Sequence, residues 1–370
     1  MNLIHRTRAI RPVAALAVIG LAALLVTGCS QENKIARHTT RADAFFAEGD
    51  YDKARIEYLN IVQLDPRNAH AIAQLGNIFF ENGVVPQAAA ALAQARNLGA
   101  TDPRISARLG VLLAANALQA KTPEERALRL KEARDSALKA LEADPKLEEA
   151  ILLLADLAND EASTTEFREL LGRLRAQHGD LPVYDTGEAV VALKSRDLNG
   201  ALALVRKAAD ADPNSAAAQY VLAGILLTQT NQVAGEAAFA RAAELSPARS
   251  TRQIQYVNFL IQRGATNEAR AHLDQVITRA PDFAPGRLRK AQLAFAERDH
   301  AAVGAELNAV LTRDPNNIDA RLLETQLHLA KREPAKAQPI MEQLLKQFPD
   351  STQLQYQAAL VSIANQNPTF

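Results

Sequence analysis

The segment from Pro213 to Pro247, PNSAAAQYVLAGILLTQTNQVAGEAAFARAAELSP, spans one period of a pattern that recurs along the chain. It begins and ends at a proline, and the two prolines are 34 residues apart. The other prolines of the series are Pro66, Pro145, Pro281, Pro315 and Pro349. From Pro145 onward, every interval is 34 residues or twice that number. A fixed period of this length is typical of stacked repeats, so the sequence predicts one continuous solenoid.

Two positions in each period hold small side chains. When the closing proline is numbered position 32, Ala or Gly occupies position 8 in seven of nine periods, and position 20 likewise. The exceptions are Val257 and Thr325 at position 8, and Phe167 and Val303 at position 20. Helices whose axes lie about 8–10 Å apart need a small side chain where they cross. The pattern therefore predicts two packed helices per period, with larger residues such as Tyr58 and Leu92 at position 24 filling the adjoining space.

The ends of these helices carry signals of their own. Gly49, Gly83 and Gly264 fall where the first helix of a pair ends, and we expect a left-handed backbone there. This spacing and residue pattern resemble the tetratricopeptide repeat. The resemblance implies an all-α superhelical solenoid of about nine antiparallel helix pairs, followed by a C-terminal capping helix over roughly 351–364.

Two periods depart from the pattern. In the third, Gly110 and Ala133 are 23 residues apart, whereas positions 8 and 20 are separated by 12 elsewhere. The extra residues predict a longer, protruding helix pair over about 104–142, whose second helix is capped by Thr122. The fourth period, about 146–180, lacks its proline and carries Phe167 at position 20. We expect an irregular repeat there and a local change in curvature.

The amino end reads MNLIHRTRAIRPVAALAVIGLAALLVTGCS, a basic stretch followed by apolar residues from Val13 to Val26. This apolar run is shorter than the roughly 20 residues that span a bilayer, and it is typical of a secretory signal. Residues 25–29, LVTGC, resemble the lipobox of bacterial lipoproteins. The resemblance implies cleavage before Cys29, the only cysteine of the chain, and lipid attachment to its sulfur. Ser30 follows, which by the family's sorting rule favours the outer membrane.

Composition and motifs argue against several classes of function. The formal net charge is zero and no basic stripe occurs, so we expect no nucleic-acid partner. The seven histidines are scattered, and neither a glycine-rich phosphate loop nor a GxSxG nucleophile motif is present. We therefore expect no enzymatic activity, no metal and no cofactor.

The concave surface of the solenoid is the expected binding surface. In the tetratricopeptide family, positions near 2, 5, 9 and 12 of each first helix point into the groove. On this chain we expect the groove residues to include Asn77, Phe80, Tyr220, Asn258, Gln292, Phe295, Gln326 and Tyr356. Position 5 carries no basic residue, so the family's clamp for peptide carboxylates is not expected. Amide and aromatic side chains on such a wall suit an extended peptide or sugar rings.

These predictions combine into one organisation. Residues 1–28 form the lipoprotein signal peptide, 29–34 a short tether, 35–364 the solenoid and 365–370 a tail. We expect a lipid-anchored, periplasm-facing scaffold that binds envelope proteins or extended peptide segments. The alternatives are a glycan-binding module for polysaccharide or peptidoglycan, and an accessory subunit that tethers an enzyme. The stretches GDYDKARIEYLNIVQLDP (49–66) and LGATDPR (98–104) are similar to tetratricopeptide lipoproteins of exopolysaccharide and exosortase (PEP-CTERM) systems.

Overall fold

The computed structural model describes residues 31–365, which form helices joined by short turns. The helices are α1 (31–48), α2 (Tyr51–Leu64), α3 (Ala69–Glu81), α4 (Val85–Asn97), α5 (Pro103–Ala117), α6 (Pro123–Ala143), α7 (Glu148–Leu157), α8 (Glu161–His178), α9 (Pro182–Lys194), α10 (Leu198–Ala211), α11 (Ala216–Thr228), α12 (Gln232–Leu245), α13 (Thr251–Gln262), α14 (Thr266–Arg279), α15 (Ala284–Ala296), α16 (His300–Leu311), α17 (Ile318–Ala330), α18 (Pro334–Gln347) and α19 (Thr352–Ala364). Within this range no residue is in a β-strand.

Helices α1–α18 form nine consecutive pairs, and α19 covers the end of the stack. The predicted all-α solenoid with a capping helix is therefore confirmed. Each odd-numbered helix up to α17 is the first helix of its pair. First helices of neighbouring pairs approach one another more closely than second helices do. A stack is compressed on its inner side, so the first helices form the concave wall, called the inner wall below.

The small residues at positions 8 and 20 act as predicted. A Cβ atom added to Gly76 on α3 would lie 2.8 Å from the Cδ2 atom of Leu92, the position-24 residue of the same pair. At Gly110 on α5, an added Cβ would lie 2.9 Å from the carbonyl oxygen of Ala133 at position 20 of α6. Contacts this short leave no room for a side chain, which explains why the pattern is so regular.

The turn between the two helices of a pair has a left-handed residue at its centre. Gly49, Gly83 and Gly264 have φ between +71° and +78°, as predicted. The equivalent turn position in four other pairs is not glycine, yet φ there is again positive. These residues are Arg196, Thr230, Arg298 and Arg332, with φ from 59° to 62°. Packing of the pair thus imposes this conformation on side chains that rarely adopt it.

The third and fourth pairs differ from the rest. Thr122 caps α6, and its side-chain oxygen accepts a hydrogen bond from the backbone nitrogen of Glu125 at 3.1 Å. Leu118, at the turn before this cap, is 76% exposed. In the fourth pair, Phe167 is buried at the position where α8 would cross α7 most closely, and its ring points toward Gly187 on α9. A cleft of about 490 Å³ lies between α6, α7 and α8.

The superhelix closes on itself. Arg249, in the loop before α13, donates a hydrogen bond from Nη2 to the carbonyl oxygen of Gly49 at 2.8 Å. Arg313, after α16, donates from Nε to Asp52 Oδ2 at 2.9 Å. An added Cβ at Gly83 would lie 3.5 Å from Cγ of Pro285. The first two pairs therefore contact the loops of the seventh to ninth pairs, one superhelical turn further along.

The first helix is longer at its amino end than the sequence pattern predicts. Residues 31–34, assigned above to a tether, are helical. The reason is a hydrogen bond from Nε2 of Gln31 to the carbonyl oxygen of Leu64 at 2.6 Å, which fastens this end of α1 to the end of α2. Cys29 and the predicted signal peptide lie outside the described residues. Among residues 31–365, none of the helices combines the length and apolar character needed to cross a bilayer.

Candidate functional site

The inner wall contains a buried ionic cluster at the second to fourth pairs. Arg108 on α5 is only 8% exposed. It donates from Nη1 to Oδ1 of Asn77 at 3.0 Å and from Nη2 to Oε1 of Glu81 at 2.7 Å, and its guanidinium lies 4.9 Å from the ring centre of Phe80. Glu149, on α7, lies 3.6 Å from the same Nη2 atom. The predicted groove residues Asn77 and Phe80 are thus brought together around an arginine.

Glu81 is the carboxylate of this cluster whose charged form is disfavoured by its surroundings. Burial raises the pKa of its carboxyl above the usual value, and the neighbouring Arg108 opposes that rise. Glu149 adds a second negative charge, which also raises the pKa of Glu81. The single guanidinium of Arg108 therefore offsets the charges of two carboxylates, Glu81 and Glu149.

The same register recurs further along the inner wall. Asn77 and Arg108 occupy position 9 of one pair and position 6 of the next, as do Asn258 on α13 and Arg289 on α15. Arg289 donates from Nη1 to Oε1 of Gln292 at 2.9 Å. Burial lowers the pKa of the Arg289 guanidinium below its usual value. The predicted residue Gln292 therefore lies beside a second partly buried arginine, and Asn258 occupies the register position that Asn77 has in the first cluster.

The remaining predicted groove residues are not brought into one site. Tyr220 packs its edge against Phe239 at 5.3 Å between ring centres, and Phe295 lies 6.4 Å from the His300 ring. Gln326 is half-buried on α17. Tyr356 on α19 is 62% exposed. These four residues lie on four different helices, α11, α15, α17 and α19.

Buried polar atoms without a hydrogen-bond partner mark the inner wall. Within the described part of the chain, six such side-chain atoms occur, three donors and three acceptors. They are Nε of Arg108, Arg249 and Arg289, and the oxygens Asn82 Oδ1, Glu149 Oε2 and Asn258 Oδ1. Five of these residues lie on first helices or at the residue that ends one, and Arg249 lies in the loop before α13. A polar group left unpaired in a protein interior costs about 1–3 kcal/mol, so these atoms lower the stability of the first helices.

The charged residues of this wall are not among those predicted from the sequence. Arg108, Glu149 and Arg249 were not among the predicted residues, because a charged residue on a helix is usually solvated. One signal could have found two of the arginines, since Arg108 and Arg289 share position 6, one place from the predicted groove positions. Arg249 has no such signal, because it lies in a loop.

The described residues offer no sign of a metal centre. Between residues 31 and 365, no three His, Cys, Asp or Glu side chains come together in a way that would hold a metal ion. Arg108 pairs with carboxylates and Arg289 with an amide, so the inner wall presents both charged and neutral polar groups.

Three family models that match different parts of the chain all describe the same repeat. Models described as TPR repeat or tetratricopeptide repeat match residues 42–83, 186–250 and 294–362. No curated protein sequence matches the chain.

Similar solved structures include a thermophilic TPR protein of Thermus thermophilus, with 19% identity over 53% of this chain and 99% of that one, at a TM-score of 0.41. PilF of Pseudomonas aeruginosa has 18% identity over 61% and 98%, at a TM-score of 0.42. The TPR domain of P58(IPK) has 15% identity over 90% and 98%, at a TM-score of 0.29.

The assignment rests on the repeat models together with the helix pairs and small-residue crossings described above. This chain is a tetratricopeptide-repeat protein, a scaffold for protein–protein interactions.

Proposed function

We propose that this protein is a lipid-anchored periplasmic scaffold whose inner wall binds an extended segment of a cell-envelope protein. The proposal rests on side-chain amides that recur at position 9 of the first helices: Asn77, Asn258, Gln292 and Gln326. An extended peptide presents N–H donors and C=O acceptors in alternation along its backbone. A side-chain amide both donates and accepts hydrogen bonds, so amides on the successive first helices α13, α15 and α17 match that chemistry better than they match a purely anionic or purely apolar ligand.

The position at the membrane is proposed from the amino-terminal sequence. Lipid on Cys29 would fix the first helix pair close to the bilayer, since only Ser30 separates this cysteine from the described helix. Stable anchoring requires more than one acyl chain, which the lipoprotein modification supplies. Ser30 favours the outer membrane, and the similarity of residues 49–66 and 98–104 favours a role in exopolysaccharide assembly or export.

The anchor is tested by fractionation. In the host envelope, the unchanged protein should sediment with outer membranes and incorporate labelled fatty acid. A Cys29→Ser variant should do neither. If that variant still carries the label, the lipid is attached elsewhere and the lipoprotein part of the proposal is wrong.

Binding at the inner wall is tested by site-specific photocrosslinking in the same envelope. A photoreactive amino acid at Gln292, an exposed position of α15, should give discrete adducts with a partner protein. The matched control is Val233, which is 82% exposed on the second helix α12. Equal adduct formation from both positions would show that the inner wall has no preference, contrary to the proposal.

A glycan-binding function is a second candidate, and one feature favours it. A cleft of about 690 Å³ beside α12–α14 is lined by Tyr256, His272, Glu244, Asp274 and Gln275 among others. An aromatic face with carboxylates and an amide around it suits a sugar ring and its hydroxyls. The His272 ring packs edge-on against Tyr256 at 5.0 Å between centres and holds it in place.

Titration separates the two candidates. The chain contains no Trp, so tyrosine fluorescence reports directly on binding. Saturable binding of polysaccharide that is lost in a Tyr256→Ala variant, but kept in a Tyr356→Ala variant, would favour the glycan function. Absence of saturation would leave peptide binding as the function.

A further inference from the structure

The contact that closes the superhelix has the composition of a reversible interface. It is formed by Gly49, Tyr51 and Asp52 of the first pair and by Arg249, Asp282 and Arg313 in the loops before α13, α15 and α17; we call it the closing contact. The Arg249 guanidinium lies 4.0 Å from the ring centre of Tyr51. Besides this stacking and the hydrogen bond to Gly49, the contact includes the ion pair between Arg313 and Asp52.

Both halves of the closing contact would remain satisfied if they separated. Arg249 forms an ion pair with Asp282, which lies on the same side of the contact, so opening would not leave an isolated buried charge. Asp52 and Arg313 have side chains that are 40% and 36% exposed even in the closed state. Polar groups of this kind exchange protein partners for water at little net cost.

The two faces are also poorly packed against each other. A cavity of about 240 Å³ lies between them, lined by Tyr51, Arg55 and Asn82 on one face and by Arg287 and Arg313 on the other, among others. Interiors that fold as one unit are close-packed, with few voids larger than a water molecule. The closing contact therefore resembles a transient interface more than a continuous core.

The closing contact lies next to the ionic cluster of the inner wall. Asn82 lines the cavity between the two faces and directly follows Glu81 of the ionic cluster in the sequence. The charge of Arg249 acts on Glu81, as that of Arg108 does. Opening would uncover this part of the inner wall.

We propose that the closing contact opens and closes in solution, and that it controls the access of a peptide segment to the inner wall at the second and third pairs. The proposal rests on the proposed function, because it regulates the same surface. It assigns to Asp52 and Arg313 the role of setting the balance between the closed and open states, since they form the exposed ion pair of the contact.

Crosslinking tests the equilibrium without any partner. Cys29 is the only cysteine of the chain, so a full-length Cys29→Ser background allows a unique pair of new thiols. Gly83 approaches Pro285, and Val84 is its neighbour in the sequence. With cysteines at positions 84 and 285, a short bismaleimide should join the two in the closed state. With Asp52→Arg or Arg313→Glu alone, like charges face each other, and the crosslinking rate should fall about fivefold or more. The double variant, Asp52→Arg with Arg313→Glu, restores an attractive pair and should restore the rate.

Three results would each overturn the proposal: no crosslink in the parent pair, single variants that react at the parent rate, or a double variant that stays slow. Far-UV circular dichroism of each variant checks that the helices are intact. Photocrosslinking yields from Gln292 and from a photoreactive amino acid at Phe80, a half-buried inner-wall position of α3, are measured in the Asp52 and Arg313 variants with Cys29 intact. Phe80 adducts that form equally in all variants would contradict the control of access while leaving inner-wall binding in place, whereas absence of Gln292 adducts in the unaltered chain would count against the proposed function itself.

Discussion

Replacing Arg108 by methionine should destabilise the protein strongly, and the loss should depend on pH. Methionine keeps much of the length of the side chain and its contact with Phe80. It removes the hydrogen bond to Asn77 and the ion pair with Glu81, whose side chain is only 19% exposed. Breaking a buried ion pair by removing one partner costs about 3–5 kcal/mol, because the other charge remains buried. We expect a loss of that size at neutral pH.

The sign of the pH dependence follows from Glu81. Burial already holds the pKa of this carboxyl above its ordinary value of 4.5, and loss of the opposing guanidinium raises it further. Between the unfolded and the folded pKa, the native state binds a proton that the unfolded state lacks. Stability therefore falls as pH rises through this interval. The Arg108→Met variant should lose least near the ordinary pKa of a glutamate and most at neutral pH.

Urea unfolding followed by far-UV circular dichroism measures both effects. The matched control is the double variant Arg108→Met with Glu81→Gln, in which the buried charge is absent. It should recover a large part of the lost stability at neutral pH, and its loss should no longer vary with pH between the two conditions. If the double variant is no more stable than Arg108→Met alone, the buried charge of Glu81 is not the cause, and the reasoning is refuted.

Three further predictions concern the scaffold, each measured as the midpoint of urea unfolding. Gly264→Ala should cost about 1 kcal/mol through the backbone alone, since φ is +78° and an added Cβ meets no atom within 4 Å. The control is Gly304→Ala on helix α16, where an added Cβ is equally free of contacts and the change should stabilise by about 0.5–1 kcal/mol. A change of the same sign at both positions would contradict the strain argument. Thr230→Gly should stabilise by about 0.5–1 kcal/mol, because a β-branched residue is held at φ 60°; an unchanged or lowered midpoint would argue against this strain. Phe167→Ala should cost about 3–5 kcal/mol by removing the buried ring beside the cleft of the fourth pair, and a loss below about 1 kcal/mol would mean that α8 simply moves closer to α7.

The sequence predicts the repeating part of the structure well, because each repeat obeys local rules. Gly76 and Gly110 are small because a neighbouring helix touches them, and this requirement recurs in every period. The turn residue is predictable where it is glycine. At Thr230 or Arg196 the same conformation is imposed by the packed pair, and the residue type gives no warning.

The candidate site is less accessible to sequence reasoning. Asn77 and Phe80 follow from their register on the first helix, and the structure places both beside Arg108. The burial of Arg108 depends on carboxylates contributed by two other helices, which no local pattern encodes. The position of Arg249 beside Gly49 depends on the pitch of the whole superhelix, the sum of many small rotations between pairs.

The closing contact also constrains how the array can change in evolution. It joins residues that are 200 and 261 positions apart, with five and seven complete helix pairs between them. In an open linear array, a unit can be added or removed and each remaining unit keeps its neighbours. Here, insertion or deletion of a single 34-residue unit between the first and seventh pairs would carry Arg249 and Arg313 around the superhelical axis, away from Gly49 and Asp52. The number of repeats is thus part of the structure, as the number of blades is in a closed propeller.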